Sequence, residues 1–135
     1  MALSLSMPIL VVDDTATMTC IIGNLLSKLG FTNVDTASDG STALTKMSKK
    51  RYTLVISDWK MKPMGGHELL TMVRAEPALA DARFIMVTSE SKIERVIAAK
   101  KAGVDAYIGI PFTASTLKSK IEEVFKAEIE VTFRD

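Results

Sequence analysis

Five short runs rich in apolar residues alternate with five stretches of helical periodicity along this chain of 135 residues. The runs are Ile9–Val12, Val34–Ala37, Leu54–Ser57, Phe84–Thr88 and Ala106–Ile108. Between them, apolar residues recur at intervals of three and four positions, as on the buried face of an amphipathic helix. Strands that alternate with helices form a parallel sheet with helices on both faces. The sequence therefore predicts an α/β fold in one domain.

The overall composition argues against several classes of function. Seventeen basic and sixteen acidic residues leave a formal charge of +1, so no net field would hold nucleic acid or an anionic membrane. No apolar run approaches the roughly 20 residues that a membrane-spanning helix needs. The single cysteine, Cys20, rules out an intramolecular disulfide and fits a reducing compartment. We therefore expect a cytoplasmic protein that binds neither nucleic acid nor membranes.

The helical stretches carry signals for their ends and for their buried side chains. Gly30 stands where a helix usually closes with a left-handed residue, and Gly103 follows the predicted fourth helix. Cys20 lies among isoleucines and leucines, so we expect it to be a small core residue. The fourth helix is predicted to begin at Ser91, with the spacing of a capping box, and to bury Ile97.

Three further side chains near the predicted loops have simple structural interpretations. Trp59 is expected to be a partly exposed loop residue. His67 is expected to open the third helix, and without a second histidine it is a poor metal ligand. Arg95 is expected to belong to a solvated helix face.

Acidic residues directly follow two of the predicted strands. Asp13 and Asp14 come after Ile9–Val12, and Asp58 comes after Leu54–Ser57. Two winding orders are common for parallel sheets, and in the flavodoxin-like order the first and third strands are neighbours with the ligand at their carboxyl ends. Crowded carboxylates share a proton or recruit a cation, and Mg²⁺ prefers oxygen ligands. The acids therefore predict a Mg²⁺ site, with helix capping or an exposed loop as the alternative for each acid singly.

The loop after the first strand narrows the chemistry of this site. Residues 13–16 include no glycine, unlike the loops that bind the phosphates of flavins and dinucleotides. Asp58 instead suits nucleophilic attack on a phosphoryl group, which would give an acyl phosphate. A metal at Asp13 and Asp14 would neutralise the phosphoryl oxygens. Thr88, at the end of the fourth strand, could hydrogen-bond the same group through its hydroxyl.

A series of short motifs follows in a characteristic order. The motifs are Asp13-Asp14, Ile56-Ser57-Asp58-Trp59-Lys60-Met61, Gly66-His67-Glu68-Leu69-Leu70, Met86-Val87-Thr88-Ser89-Glu90, Ala102-Gly103-Val104, Tyr107 and Pro111-Phe112-Thr113. From residue 7 to residue 126 this series resembles the receiver domains of bacterial two-component signalling, and most of all the stand-alone CheY-like proteins of chemotaxis. The resemblance implies a flavodoxin-like (βα)5 sandwich with strand order 2-1-3-4-5. It divides the chain into a receiver domain, 1–126, and a C-terminal extension, 127–135.

The resemblance also implies roles for the acidic residues. Asp58 would accept a phosphoryl group from a sensor histidine kinase or a phosphotransfer protein. Asp13 and Asp14 would hold Mg²⁺ together with Asp58 and the backbone carbonyl of Lys60.

Two pairs of residues would govern switching and dephosphorylation in such a domain. Thr88 and Tyr107 would move together on phosphorylation and change a binding surface on the fourth helix, fifth strand and fifth helix. Lys60 and Glu90 would flank the path of the hydrolytic water, and an ion pair between them would lengthen the life of the phosphate. Alternatively, Lys60 would turn inward to the phosphoryl group and leave Glu90 in solvent.

The sequence departs from the family's pattern at Ile110, where receiver domains carry a lysine that contacts the phosphoryl group. Isoleucine supplies neither a charge nor a donor, and a hydrogen bond to a charged group is worth about 1.5–3 kcal/mol. Lys60 and Lys62, in the loop after Asp58, could replace the lost charge. The alternative is a simple loss of the switch.

These observations predict a single-domain response regulator, rather than a classical enzyme, that lacks an output domain and acts by protein contact in chemotaxis or a related pathway. Besides the kinase, its partners would be a flagellar motor switch component or a phosphatase. Ile110 favours a second interpretation, a phosphorylation-independent interaction module or phosphate sink. A metal-dependent phosphohydrolase that uses Asp58 is a third and weaker one.

The last residues of the chain lie outside the family's pattern. Residues 128–133 alternate polar and apolar side chains, which is typical of a short strand. Such a strand could pack on its own sheet, on a partner or on a second copy of the chain, and a disordered tail is the alternative. We expect a monomer unless this segment forms a dimer.

Overall fold

The computed structural model describes residues 4–88 and 93–126. Within these ranges, five strands alternate with five helices along the chain. The strands are β1 (Ile9–Val12), β2 (Val34–Ala37), β3 (Leu54–Ser57), β4 (Arg83–Thr88) and β5 (Ala106–Gly109). The helices are α1 (Ala16–Lys28), α2 (Gly40–Lys49), α3 (Gly66–Ala75), α4 (Ile93–Ala102) and α5 (Ala114–Val124). The predicted strands are confirmed, and the fourth and fifth are each one residue longer than expected.

All five strands pair in parallel, in the order β2-β1-β3-β4-β5. This is the predicted flavodoxin-like order, in which the chain reverses its direction of winding between β1 and β3. The register places Val12 opposite Ser57, so β1 and β3 end level with each other. Whatever follows these two strands is therefore brought to the same edge of the sheet.

The strands bury side chains on both faces because helices cover both. In β1, Ile9 and Val11 belong to a core beneath α1 and α5, whereas Leu10 and Val12 belong to a core beneath α2 and α3. Alternate side chains of a strand point to opposite faces of the sheet. A strand covered on both sides therefore needs an unbroken apolar run, which is what the sequence of β1 provides.

The helix ends follow from particular residues. Thr15 is the N-cap of α1, and its side-chain oxygen accepts a hydrogen bond from the backbone N–H of Met18. After α1, Gly30 has a φ of 101°, and after α4, Gly103 has a φ of 98°. Both values lie in the left-handed region that favours glycine, so the predicted closure of the first helix at Gly30 is confirmed.

Two predicted core residues lie instead on the surface. Cys20 is exposed, and Ile97 is 46% exposed. Each helix packs only one narrow stripe against the sheet, and in α1 the buried residues of that stripe are Ile22 and Leu26. In α4, Ala99 is buried while Ile97 faces outward.

Some expectations concern residues outside the described ranges. They are the start of the fourth helix at Ser91, the position of Glu90 and the segment 127–135. Within the described ranges, no helix is long and apolar enough to cross a membrane.

Candidate functional site

The candidate site forms where β1 and β3 end side by side. The backbone N–H of Asp58 donates to the carbonyl of Val12 at 3.0 Å, and the N–H of Asp13 donates to the carbonyl of Ala37 at 3.1 Å. These two bonds continue the sheet pairing by one residue beyond each strand. The acids are therefore positioned by the sheet itself.

Asp13, Asp14 and Asp58 form a cluster in which each contributes one carboxylate oxygen, and these oxygens lie within 4.8 Å of one another. Asp13 is buried, Asp58 is half-buried and Asp14 is exposed. Asp13 does not cap α1. It accepts hydrogen bonds from the backbone N–H of Thr15 at 2.9 Å and from its hydroxyl at 3.0 Å. The prediction that the three acids converge is confirmed by this geometry.

The environment of the cluster disfavours its negative charges. Burial raises the pKa of Asp13 above its ordinary value, and the neighbouring charge of Asp14 adds to this effect. Burial also raises the pKa of Asp58, and the negative charge of Asp13 is the second largest cause of this increase. Hydrogen bonds from the Trp59 N–H and the Thr88 side chain act in the opposite direction on Asp58. A bound cation would relieve the repulsion that remains.

The loop after Asp58 is held close to the acid by backbone contacts. The N–H of Trp59 donates to Asp58 Oδ1 at 2.8 Å, and the carbonyl of Trp59 accepts from the N–H of Gly66 at 2.9 Å. A Cβ atom on Gly66 would lie 1.9 Å from the carbonyl oxygen of Asp58. Only glycine fits there, and the sequence signals this position through the pair Gly65-Gly66 at the start of α3.

An open cavity of about 520 Å³ lies beside the acids. Its lining residues are Asp14, Trp59, Lys60, Met61, Lys62, Gly65, His67 and Glu68. The side chains of Lys60 and Lys62 are both exposed at this cavity. Asp14 and the two lysines of the loop after Asp58 therefore line one cavity.

Aromatic and basic groups also meet at Trp59. The ring centroids of Trp59 and His67 are 5.0 Å apart, with an angle of 35° between the ring planes. The guanidinium carbon of Arg95 lies 5.5 Å from the centroid of the Trp59 ring. Arg95 is half-buried here, so the expectation of a solvated helix face was wrong. No sequence pattern signals the contact, because Trp59 and Arg95 belong to different elements far apart in the chain.

Residues 9–122 match the family model of the response regulator receiver domain. The chain belongs to the response regulator receiver family. The receiver domain is 45% identical over 124 residues to chemotaxis protein CheY-3 of Vibrio cholerae, and the alignment covers 92% of this chain and 95% of that protein. It is 47% identical over 120 residues to chemotaxis protein CheY of Pseudomonas aeruginosa, and the alignment covers 89% of this chain and 97% of that protein. These relatives make it a CheY-like response regulator of the chemotaxis type.

Solved structures agree with the fold of this receiver domain. Chemotaxis protein CheY4 of Vibrio cholerae superposes with a TM-score of 0.82 at 30% identity, over 88% of this chain and 98% of that chain. A CheY-like receiver domain protein from Methanospirillum hungatei superposes with a TM-score of 0.80 at 30% identity, over 93% of this chain and 98% of that chain.

The remaining predicted residues of the receiver domain lie on β4, on β5 and after β5. Thr88 is buried at the end of β4, and its side chain hydrogen-bonds Asp58. Tyr107, in β5, is half-buried against the core beneath α2 and α3. Ile110 packs against the opposite core, beneath α1 and α5, and its N–H donates to the carbonyl of Thr88 at 3.1 Å. A backbone hydrogen bond thus ties Ile110 to the end of β4.

The donor atoms of the acidic cluster fit a hard divalent cation. Three carboxylates within 4.8 Å supply the oxygen ligands that Mg²⁺ prefers. The raised pKa values of Asp13 and Asp58 show that the protein alone does not compensate the charge. A cation would compensate it, so the cluster is compatible with Mg²⁺.

Proposed function

We propose that Asp58 is the phosphoacceptor of this response regulator. It receives a phosphoryl group from a phosphohistidine on a sensor histidine kinase or a phosphotransfer protein. In this proposal Asp13, Asp14, Asp58 and the backbone carbonyl of Lys60 hold Mg²⁺. The observation that carries the proposal is the cluster of three acids within 4.8 Å, with the Thr88 side chain bonded to one of them.

The proposed reaction is a displacement at phosphorus. A carboxylate oxygen of Asp58 forms a bond to phosphorus while the bond from phosphorus to the histidine nitrogen breaks. The leaving ring keeps that electron pair and, with a proton on its other nitrogen, departs as neutral imidazole. Trp59 orients the acceptor, because its N–H binds Oδ1 of the same carboxylate at 2.8 Å. The hydroxyl of Thr88 is already at the carboxylate and can donate to a phosphoryl oxygen. Mg²⁺ at the site would neutralise the charge that the phosphoryl oxygens carry.

The positive charge that Ile110 cannot provide is supplied, in this proposal, by the loop after Asp58. Lys60 and Lys62 are both exposed at the cavity beside the acids. Either ammonium group can approach a phosphoryl group on Asp58 from that side. A charge-assisted hydrogen bond from one of them would be worth about 1.5–3 kcal/mol. Glu90, the other residue that the sequence associates with Lys60 in hydrolysis, lies outside the described residues.

The phosphorylated domain acts by contact with another protein, and we propose a flagellar motor switch component or a phosphatase as that partner. The site would then be a self-modifying switch in the cytoplasm rather than the active site of a classical enzyme. A phosphorylation-independent module is less well supported, because it gives no reason for three acids to be crowded at a cost in free energy.

The proposal is tested by incubation with phosphoramidate and Mg²⁺, followed by intact-mass measurement. Wild type should gain one phosphoryl group and Asp58→Asn none. Asp81→Asn, which removes an exposed acid with an 87% accessible side chain, should behave as wild type. If Lys60 supplies the compensating ammonium group, Lys60→Met should be modified about tenfold more slowly than wild type. If Lys62 supplies it, Lys62→Met should be the slower variant. Modification of Asp58→Asn, or none in wild type, would contradict the proposal.

A further inference from the structure

The indole ring of Trp59 lies between side chains of two helices. His67 belongs to the first turn of α3, with its ring centroid 5.0 Å away, and Arg95 belongs to the first turn of α4, with its guanidinium carbon 5.5 Å from the indole centroid. We call these three side chains the Trp59 clasp. A cation is attracted to the face of an indole ring, and more strongly where water is excluded. Trp59 and Arg95 are both half-buried, so their contact is partly shielded from solvent.

The backbone of Trp59 is hydrogen-bonded to the acceptor, Asp58. Its N–H donates to Asp58 Oδ1 at 2.8 Å, and its carbonyl accepts from the N–H of Gly66 at 2.9 Å. The loop has little room to adjust, because a single methyl group on Gly66 would collide with the carbonyl oxygen of Asp58. The Asp58 carboxylate and the backbone of Trp59 are therefore joined directly by a hydrogen bond in a tightly packed loop.

The residue after β5 cannot make a comparable link to α4. The side chain of Ile110 packs against the core beneath α1 and α5, and α4 covers the other face of the sheet together with α2 and α3. An aliphatic side chain also has no donor for a phosphoryl oxygen. The Trp59 clasp has what Ile110 lacks, since it starts at the acceptor and ends on α4.

We propose that the Trp59 clasp couples phosphorylation of Asp58 to the position of α4, and that Arg95 is the residue of α4 through which Trp59 acts. This inference rests on the proposed function. Phosphorylation adds negative charge and strong acceptor oxygens beside the Trp59 N–H. The N–H follows the new acceptor, the ring moves with it, and the Arg95 contact carries the movement to the first turn of α4. The exposed side chain of Ile97, on the next turn of α4, reports the movement of this helix.

The experiment compares wild type with Arg95→Ala, Arg95→Lys and Lys100→Ala, each treated with beryllofluoride and Mg²⁺ as a mimic of the phosphorylated state. Lys100 is an exposed cation in the last turn of α4 and serves as the matched control. The readouts are the beryllofluoride adduct, by fluorine NMR, and the change in the methyl NMR signal of Ile97.

Wild type and Lys100→Ala should form the adduct and show the same Ile97 change. Arg95→Ala should form the adduct but lose more than half of the Ile97 change, and Arg95→Lys should lie between them, because it keeps the cation. A melting temperature for each variant shows that the domain is folded. An Arg95→Ala protein with the full Ile97 change would overturn the coupling while the proposed function stands. The same holds for a wild type that forms the adduct without any Ile97 change. Failure of wild type to form the adduct would overturn the proposed function and the coupling with it.

Discussion

At the scale of single residues, the site concentrates groups that destabilise one another. Asp13 and Asp58 have pKa values raised above 3.8, and for both the main cause is burial. Thr15 and Trp59 provide hydrogen bonds that partly offset this cost. A bound cation would relieve the part of this cost that remains.

Gly66 is predicted to be indispensable at this scale. Gly66→Ala should lower the free energy of unfolding by about 3 kcal/mol, because the added Cβ would lie 1.9 Å from the carbonyl oxygen of Asp58. This oxygen belongs to the backbone, so the clash cannot be relieved by rotation of a flexible side chain. Gly23→Ala is the matched control: Gly23 is inside α1 with nothing within 4 Å of its added Cβ, so alanine should stabilise the helix by about 1 kcal/mol. Urea unfolding of both variants measures the difference. Equal effects of the two substitutions would contradict the structure.

Much of the site could be predicted from residues that are neighbours in the sequence, but contacts between distant elements could not be predicted. Asp13 and Asp58 directly follow apolar runs that form strands β1 and β3. Because these strands are neighbours that end in register, the topology brings the two acids together. The contact between Trp59 and Arg95 depends on how α4 packs beside the β3–α3 loop. Periodicity says which residues share a face of a helix, but not which loop that face meets. Arg95 therefore resembled an ordinary surface residue.

At the scale of elements, the same limit decides which expectations were right. Strand runs such as Ile9–Val12 were recognisable because burial on both faces requires continuous apolar sequence. Ile97 was misassigned because helix α4 presents apolar residues beyond its buried stripe. An apolar side chain at helical spacing is necessary for burial but does not ensure it.

The N-cap of α1 is predicted to serve both the helix and the acidic cluster. The Thr15 hydroxyl accepts from the N–H of Met18 and donates to Asp13 Oδ1. Thr15→Ala should therefore cost about 1 kcal/mol of stability and weaken Mg²⁺ binding about tenfold. Thr113→Ala removes the N-cap of α5, which should cost a similar stability and leave Mg²⁺ affinity unchanged. Thermal unfolding and Mg²⁺ titration measure the two effects, and equal affinities in the two variants would refute the double role of Thr15.

At the scale of the whole molecule, a nearly neutral chain brings three acids to one edge of its sheet. The doubly wound order achieves this by making β1 and β3 neighbours that end in register. The acidic edge is a local property of the fold, because the formal charge of the full chain is only +1. The account therefore depends on the cluster binding a divalent cation.

The most direct test is the free energy of unfolding as a function of pH, measured in EDTA and in millimolar Mg²⁺. Because the folded pKa values of Asp13 and Asp58 are raised, the folded protein holds more protons than the unfolded chain at pH values just above 3.8. In EDTA, the stability that these acids contribute should be complete below that pH and should be lost as the pH rises through the raised values. In Mg²⁺ the loss should disappear, because the ionised acids would bind the cation only in the folded state. Two curves that coincide from pH 4 to pH 7 would contradict the account.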